Sequence, residues 1–141
     1  SRSFEYHHSI FARGHRIPGL FSWFNLSENS TTPTTVPTEY AGQMWEPQVI
    51  LHSDDPVNDE NIPTRYRDQQ VLIYELCRAG YTFEVATHGF NVNHGIRNRS
   101  SPMEAAVVLA NGRGRFRAIK SFKDRIDRLY PDTASKCGNF T

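Results

Sequence analysis

From Arg115 to Tyr130 the chain carries Phe116, Ile119, Phe122, Ile126 and Leu129 at the three- and four-residue spacing of one helix face. Pro131 ends the run. So long an apolar stripe must be covered by a core that the rest of the chain supplies. A second helix is expected over Asp68–Arg78, where Val71, Leu72, Glu75 and Leu76 share helical spacing and Gly80 supplies the stop. A third is announced by Ser101 as N-cap, Pro102 at the first helical position and Glu104 closing a capping box. It is expected to run to about Ala110, with a turn at Asn111-Gly112, so residues 101–131 read as a helical C-terminal part.

Strand signals are fewer. Tyr81–Ala86 alternates apolar and polar residues, and Phe90–Val92 is short and β-like. Trp45–His52 has the β-branched centre of a buried strand, with Pro47 at its first residues or at an edge. Residues 26–38, rich in Ser, Thr and Pro, are expected to form an exposed loop. With 141 residues and 38% hydrophobic side chains, the expectation is one domain over 1–141 of mixed α/β class with few strands.

Sixteen basic residues against fifteen acidic ones name no partner by charge alone. No stretch approaches the roughly 20 apolar residues of a membrane helix, and nothing near Ser1 has the charged and apolar regions of a signal peptide, so any targeting segment is expected outside these residues. Four of the nine asparagines, Asn25, Asn29, Asn98 and Asn139, stand in Asn-x-Ser/Thr sequons, which favours a luminal or secreted chain. In that setting Cys77 and Cys137 could pair; equally, Cys77 reads as a small apolar residue of a helix.

Several constellations have chemical potential. Asp54, Asp55, Asp59 and Glu60 share one polar loop and offer oxygen ligands, without the glycine and final Glu of an EF-hand. His88 and His94 bracket Phe90–Val92, each followed by glycine, and read either as metal or phosphate ligands or as ordinary loop-end histidines. Nine Lys or Arg lie between Arg97 and Arg128 against three acidic residues, a solvated face or a binding surface for phosphates. No nucleophile elbow, phosphate-binding glycine loop or Asp-x-Asp occurs in the sequence.

Read in order, these segments resemble the LARGE-like glycosyltransferases of glycosyltransferase family 49. Gly14-His15 through Trp23 is similar to the family's Gly-His-x-Pro-Thr-Asn-Phe-x-x-Trp, with one extra residue and Gly19-Leu20 in place of Thr-Asn. Trp45-Glu46-Pro47 resembles its Glu-Pro-Tyr, Asp54–Asp59 its Asp-x-Pro-x-x-Asp, and Tyr66–Ile73 with Glu75-Leu76 its helix ending in Glu-Leu. Tyr81-Thr-Phe-Glu-Val is similar to Tyr-Glu-Phe-x-Val, and Phe90-Asn-Val-Asn93-His94 falls where the family has aromatic-x-Ile/Val-His. Tyr130-Pro131 and Cys137-Gly138 look like the divergent invertebrate members, and the resemblance covers about residues 10–140.

The resemblance implies the C-terminal portion of a GT-A (Rossmann-like) domain, a mixed sheet with flanking helices. It implies transfer of a sugar such as glucuronic acid from a UDP-sugar to a glycan acceptor, with inversion. Mn²⁺, held by an Asp-x-Asp and a later His, would neutralise the leaving diphosphate while a carboxylate deprotonates the acceptor. Carried onto this sequence, Asp68 is the catalytic candidate, Trp45, Glu46 and Arg67 the substrate-binding ones, and His94, beside Asn93, the metal ligand. The Asp-x-Asp is expected upstream of Ser1, and the 141 residues alone are expected to be inactive. The implied setting is the Golgi lumen, as a type II membrane protein anchored through a segment outside this chain, with no nucleic-acid partner. A non-catalytic glycan-binding or scaffolding homologue is the alternative; a cytosolic basic interaction domain is a third reading.

Overall fold

The computed structural model describes residues 11–91, 101–112 and 114–141. Its elements are α1 (Leu20–Asn29), β1 (Thr35–Thr38), α2 (Asp68–Arg78), β2 (Phe83–Ala86), α3 (Pro102–Ala110), α4 (Gly114–Leu129), a 3₁₀ turn (Pro131–Thr133) and α5 (Ala134–Cys137). The class is α/β: helices around a small antiparallel sheet in which Thr35 faces Ala86 and Thr38 faces Phe83. Pro37 can sit in β1 because each strand of a two-stranded sheet has an open edge. Buried Thr87 closes the ladder: its N–H and its hydroxyl both donate to the Thr34 carbonyl at 2.9 Å.

Helix α2 is the centre of the molecule. Eight of its eleven residues are buried, so it has no solvent face to speak of. One side packs Val71, Tyr74 and Cys77 against Phe122 and Ile126 of α4, Phe140, Cys137 and Ile62. The other side packs Ile73 and Leu76 against Trp45, with Tyr40, Val49, Leu51 and Phe83 around them. The helix ends in a Schellman motif: Gly80 at φ 89° donates to the Cys77 carbonyl and Tyr81 donates to that of Leu76, both at 3.0 Å.

Burial on all sides forces the polar residues of α2 to find partners. Glu75 accepts two bonds from Arg125 of α4, at 2.7 and 2.8 Å, and Arg125 also reaches Asp59 at 3.1 Å. Arg78, 2% exposed, donates to the Tyr74 hydroxyl and to Asp127 at 2.8 Å and to the Tyr130 carbonyl at 2.7 Å. Cys77 and Cys137 form a disulfide that ties the end of α2 to α5.

The expected helices over 68–78 and 115–130 and the capped helix from Pro102 are present, the capping box included. Three expectations are corrected. Residues 26–38 are not one loop, because α1 runs to Asn29 and β1 takes Thr35–Thr38. The Asn29 amide bonds the Asn25 carbonyl at 2.8 Å, satisfying the helix end that a Ser-, Thr- and Pro-rich composition disguised as loop. Residues 45–52 form no strand. Trp45, Val49 and Leu51 face the core while Ile50 is 97% exposed, so the period of two is real, yet the backbone pairs with no described strand. Phe90 and Asn91 likewise lie outside any strand, and Val92 falls outside the described residues.

The disulfide closes a segment of 60 residues, for which loop-closure entropy gives about 4 kcal/mol. Replacing Cys77 and Cys137 by serine should lower the urea midpoint correspondingly, and wild-type protein in reductant should match the double variant. Asp59 gives a second expectation. Burial raises its pKa, but bonds from Asn61 and Arg125 outweigh it, so the folded value lies below the ordinary one. Its contribution is therefore present above the unfolded value of about 4 and is lost as pH falls through the folded value. Asp59→Asn should reduce stability at neutral pH and converge with wild type in acid, read from denaturation midpoints across a pH series.

Candidate functional site

Two distant segments meet at the N-terminal end of α2. Arg65 and Arg67 both take left-handed backbone, φ 65° and 60°, as the chain turns into the helix. Opposite them lies the segment around Trp45, stapled to residues 14–16. The Glu46 N–H donates to the Gly14 carbonyl at 2.8 Å, and the Trp45 indole N–H donates to the Arg16 carbonyl at 2.9 Å. Gly14 is buried at this staple, where an added Cβ would lie 2.2 Å from the Phe11 ring and 3.1 Å from the Met44 carbonyl oxygen.

Between the two segments is an open polar cleft lined by Glu46, Arg65, Arg67, Asp68 and Gln69. Three of the residues selected from sequence, Glu46, Arg67 and Asp68, thus come together. Trp45 does not line the cleft. It is 4% exposed and packs edge-on against Phe83 at 5.3 Å, so it is a core residue and cannot stack on a sugar. Its side chain points inward, where the indole packs against Ile73 and Leu76.

The cleft's polar groups are interlocked. Gln70, buried at 5% exposure, donates to Glu46 Oε1 at 2.6 Å and accepts from Arg67 Nε at 2.6 Å. Glu46 Oε2 lies 3.8 Å from His15 Nε2. Arg67 also donates to Gln43 and to the Thr141 carbonyl, and its guanidinium covers the Phe140 ring at 4.0 Å. Burial lowers its pKa, against the neighbouring Tyr66, Tyr40 and Glu46. Arg67 therefore clamps several parts of the chain together at the edge of the cleft. Arg65 pairs with Glu104 of α3 at 2.9 Å. Asp68, in the first turn of α2, makes no side-chain hydrogen bond to a described residue.

Sequence reasoning did not select His15, Gln70 or Arg65. The Gly14-His15 pair was the available signal for the first; nothing local marks Gln70, whose role comes from burial between two charged groups.

The other candidates disperse. Asp55 is held by Tyr81 and the His52 N–H, both at 2.7 Å, and these bonds lower its pKa. Asp59 belongs to the Arg125 pair. No group of three His, Cys, Asp or Glu that could hold a metal ion occurs among the described residues. His88 has both ring nitrogens engaged, Nδ1 at 2.7 Å from Thr87 Oγ1 and Nε2 at 2.7 Å from the Ser30 carbonyl. His94 and Asn98 lie outside the described residues. The described residues by themselves therefore do not fit a manganese site. Asn25, Asn29 and Asn139 are exposed. The basic run is broken up as well: Arg125 turns inward, Lys120 pairs with Asp124 at 2.7 Å, and Arg115 lies over the Tyr66 ring. No described helix is long and apolar enough to cross a membrane.

The segments that build this cleft all lie within the part of the chain that matches a known family. The family described as "Glycosyl-transferase for dystroglycan" matches residues 1–131. The chain therefore belongs to the LARGE-like glycosyltransferases of family 49 and is a glycosyltransferase-family domain. No curated protein and no solved structure matches it.

Gly14→Ala tests the staple. The added methyl group should displace Phe11 or the Met44 carbonyl at a cost of about 1–3 kcal/mol. Thermal melts with near-ultraviolet circular dichroism of the Trp45 environment should report both the loss and the local change; an unchanged melt excludes a tight approach at Gly14.

Proposed function

We propose that the cleft lined by Glu46, Arg65, Arg67, Asp68 and Gln69 is the acceptor side of a glycosyltransferase that uses a UDP-sugar donor and inverts the anomeric centre. The observation that carries the reading is the meeting of Glu46, Arg67 and Asp68, from two separate segments that resemble family motifs, in one open polar cleft. Carboxylates and guanidinium groups set around an open cleft suit the hydroxyls of a sugar, since each can make paired hydrogen bonds, and the arginines suit an anionic glycan. A carboxylate in reach of the acceptor hydroxyl supplies the base that inverting transfer needs. The fold that goes with this reading is the GT-A type, and the setting is the Golgi lumen, in agreement with the four sequons and the Cys77–Cys137 disulfide. Manganese belongs to the same reading, with His94 as its candidate ligand.

Transfer from UDP-glucuronic acid and related UDP-sugars to glycan acceptors, followed by release of UDP, is the direct test on the full-length protein. The expected result is transfer that chelator abolishes and manganese restores. The 141 residues alone should bind glycan without turnover, and manganese-dependent transfer by them alone excludes that part of the reading. Glycan binding by the full-length protein that ignores chelator, without any transfer, selects the non-catalytic homologue instead.

A further inference from the structure

Resting on that glycosyltransferase reading, we propose that Glu46, and not Asp68, is the base that takes the acceptor proton, with Gln70 as its positioning residue. Both carboxylates line the cleft, but only one is held. A base contributes when its lone pair is fixed on the reacting hydroxyl before the substrate arrives, because misplacement of an ångström is costly.

Glu46 is fixed at three levels. Its backbone donates to the Gly14 carbonyl, and its neighbour Trp45 is locked in the core. Its Oε1 accepts from Gln70 at 2.6 Å. The Gln70 amide is itself oriented, since Arg67 only donates and must face the amide oxygen, which leaves the NH₂ for Glu46. His15 stands 3.8 Å from Oε2, the oxygen left to receive a proton. Asp68 makes no side-chain hydrogen bond to a described residue, and its charge complements the N-terminal end of α2.

In the step assigned to Glu46, the acceptor O–H proton passes to Oε2 as the acceptor oxygen bonds to the anomeric carbon. The bond from that carbon to the nucleotide phosphate oxygen breaks, and its electron pair leaves with UDP. Glu46 then returns the proton to solvent.

The test uses full-length protein, a UDP-sugar and acceptors whose reacting hydroxyl is made progressively more acidic by neighbouring fluorine. Glu46→Gln keeps the shape and the Gln70 contact but not the base. It should lower kcat about 100-fold or more, the usual range for a lost base, with acceptor KM and melting temperature little changed. The deficit should shrink as the acceptor hydroxyl becomes more acidic. Gln70→Ala should show a smaller loss with the same dependence on acidity, which a merely structural role would not produce. A Glu46→Gln enzyme close to wild type, or a loss independent of acceptor acidity, overturns the assignment while the glycosyltransferase reading stands. The acidity-dependent loss appearing in Asp68→Asn instead also overturns it. If wild-type protein transfers no sugar, the glycosyltransferase reading fails, and the assignment fails with it.

Discussion

Arg78 is a charge with almost no water around it. A buried guanidinium is tolerable only if its donors are satisfied, and here they are taken by Tyr74, Asp127, the Tyr130 carbonyl and Thr133. Burial works against its charge, yet the bonds from Asp127 and Tyr74 outweigh it and leave its pKa raised. Those partners are the end of α4, the 3₁₀ turn and α2 itself. One ionic centre thus determines where the C-terminal third of the chain must lie against the central helix. The Cys77–Cys137 disulfide, one residue away, holds the same junction covalently.

With its C-terminal end fixed in this way, α2 presents its N-terminal end to the cleft. Gln70 links the two functions, since it belongs to the buried part of the helix and also bonds Glu46. The opposite wall depends on a different device. Trp45 fills the core, and the Gly14 carbonyl receives the Glu46 N–H, so a segment without regular structure is anchored by packing and a backbone hydrogen bond. Both walls are thus tied by hydrogen bonds and core packing although only one is a helix. Such anchoring is what a preorganised carboxylate requires.

Helices were the legible part of the fold. The capping box at Ser101, the stripe from Phe116 to Leu129 and the breaks at Gly80 and Pro131 act over a few residues, so their signals survive in any context. The strand expected over 45–52 shows the limit. Its alternation reported which side chains turn inward, correctly for Trp45, Val49 and Leu51, but alternation says nothing about whether a partner backbone lies alongside. Residues 26–38 failed in the other direction, because Ser27 and Asn29 in α1 bond to their own helix and mimic loop composition.

The sequence by itself determined the family, through the order of motifs from Gly14-His15 to Tyr81-Thr-Phe-Glu-Val, and it singled out Glu46, Arg67 and Asp68. It could not say that Trp45 from the same motif is a core residue, or that Gln70 and His15 flank Glu46. Those facts depend on long-range packing: residues 14–16, 45–46 and 67–70 are far apart in the chain and meet only when α2 is buried. Tertiary structure alone decided which of two cleft carboxylates is held in place, because orientation comes from the neighbours that surround a side chain and not from its own position in a motif.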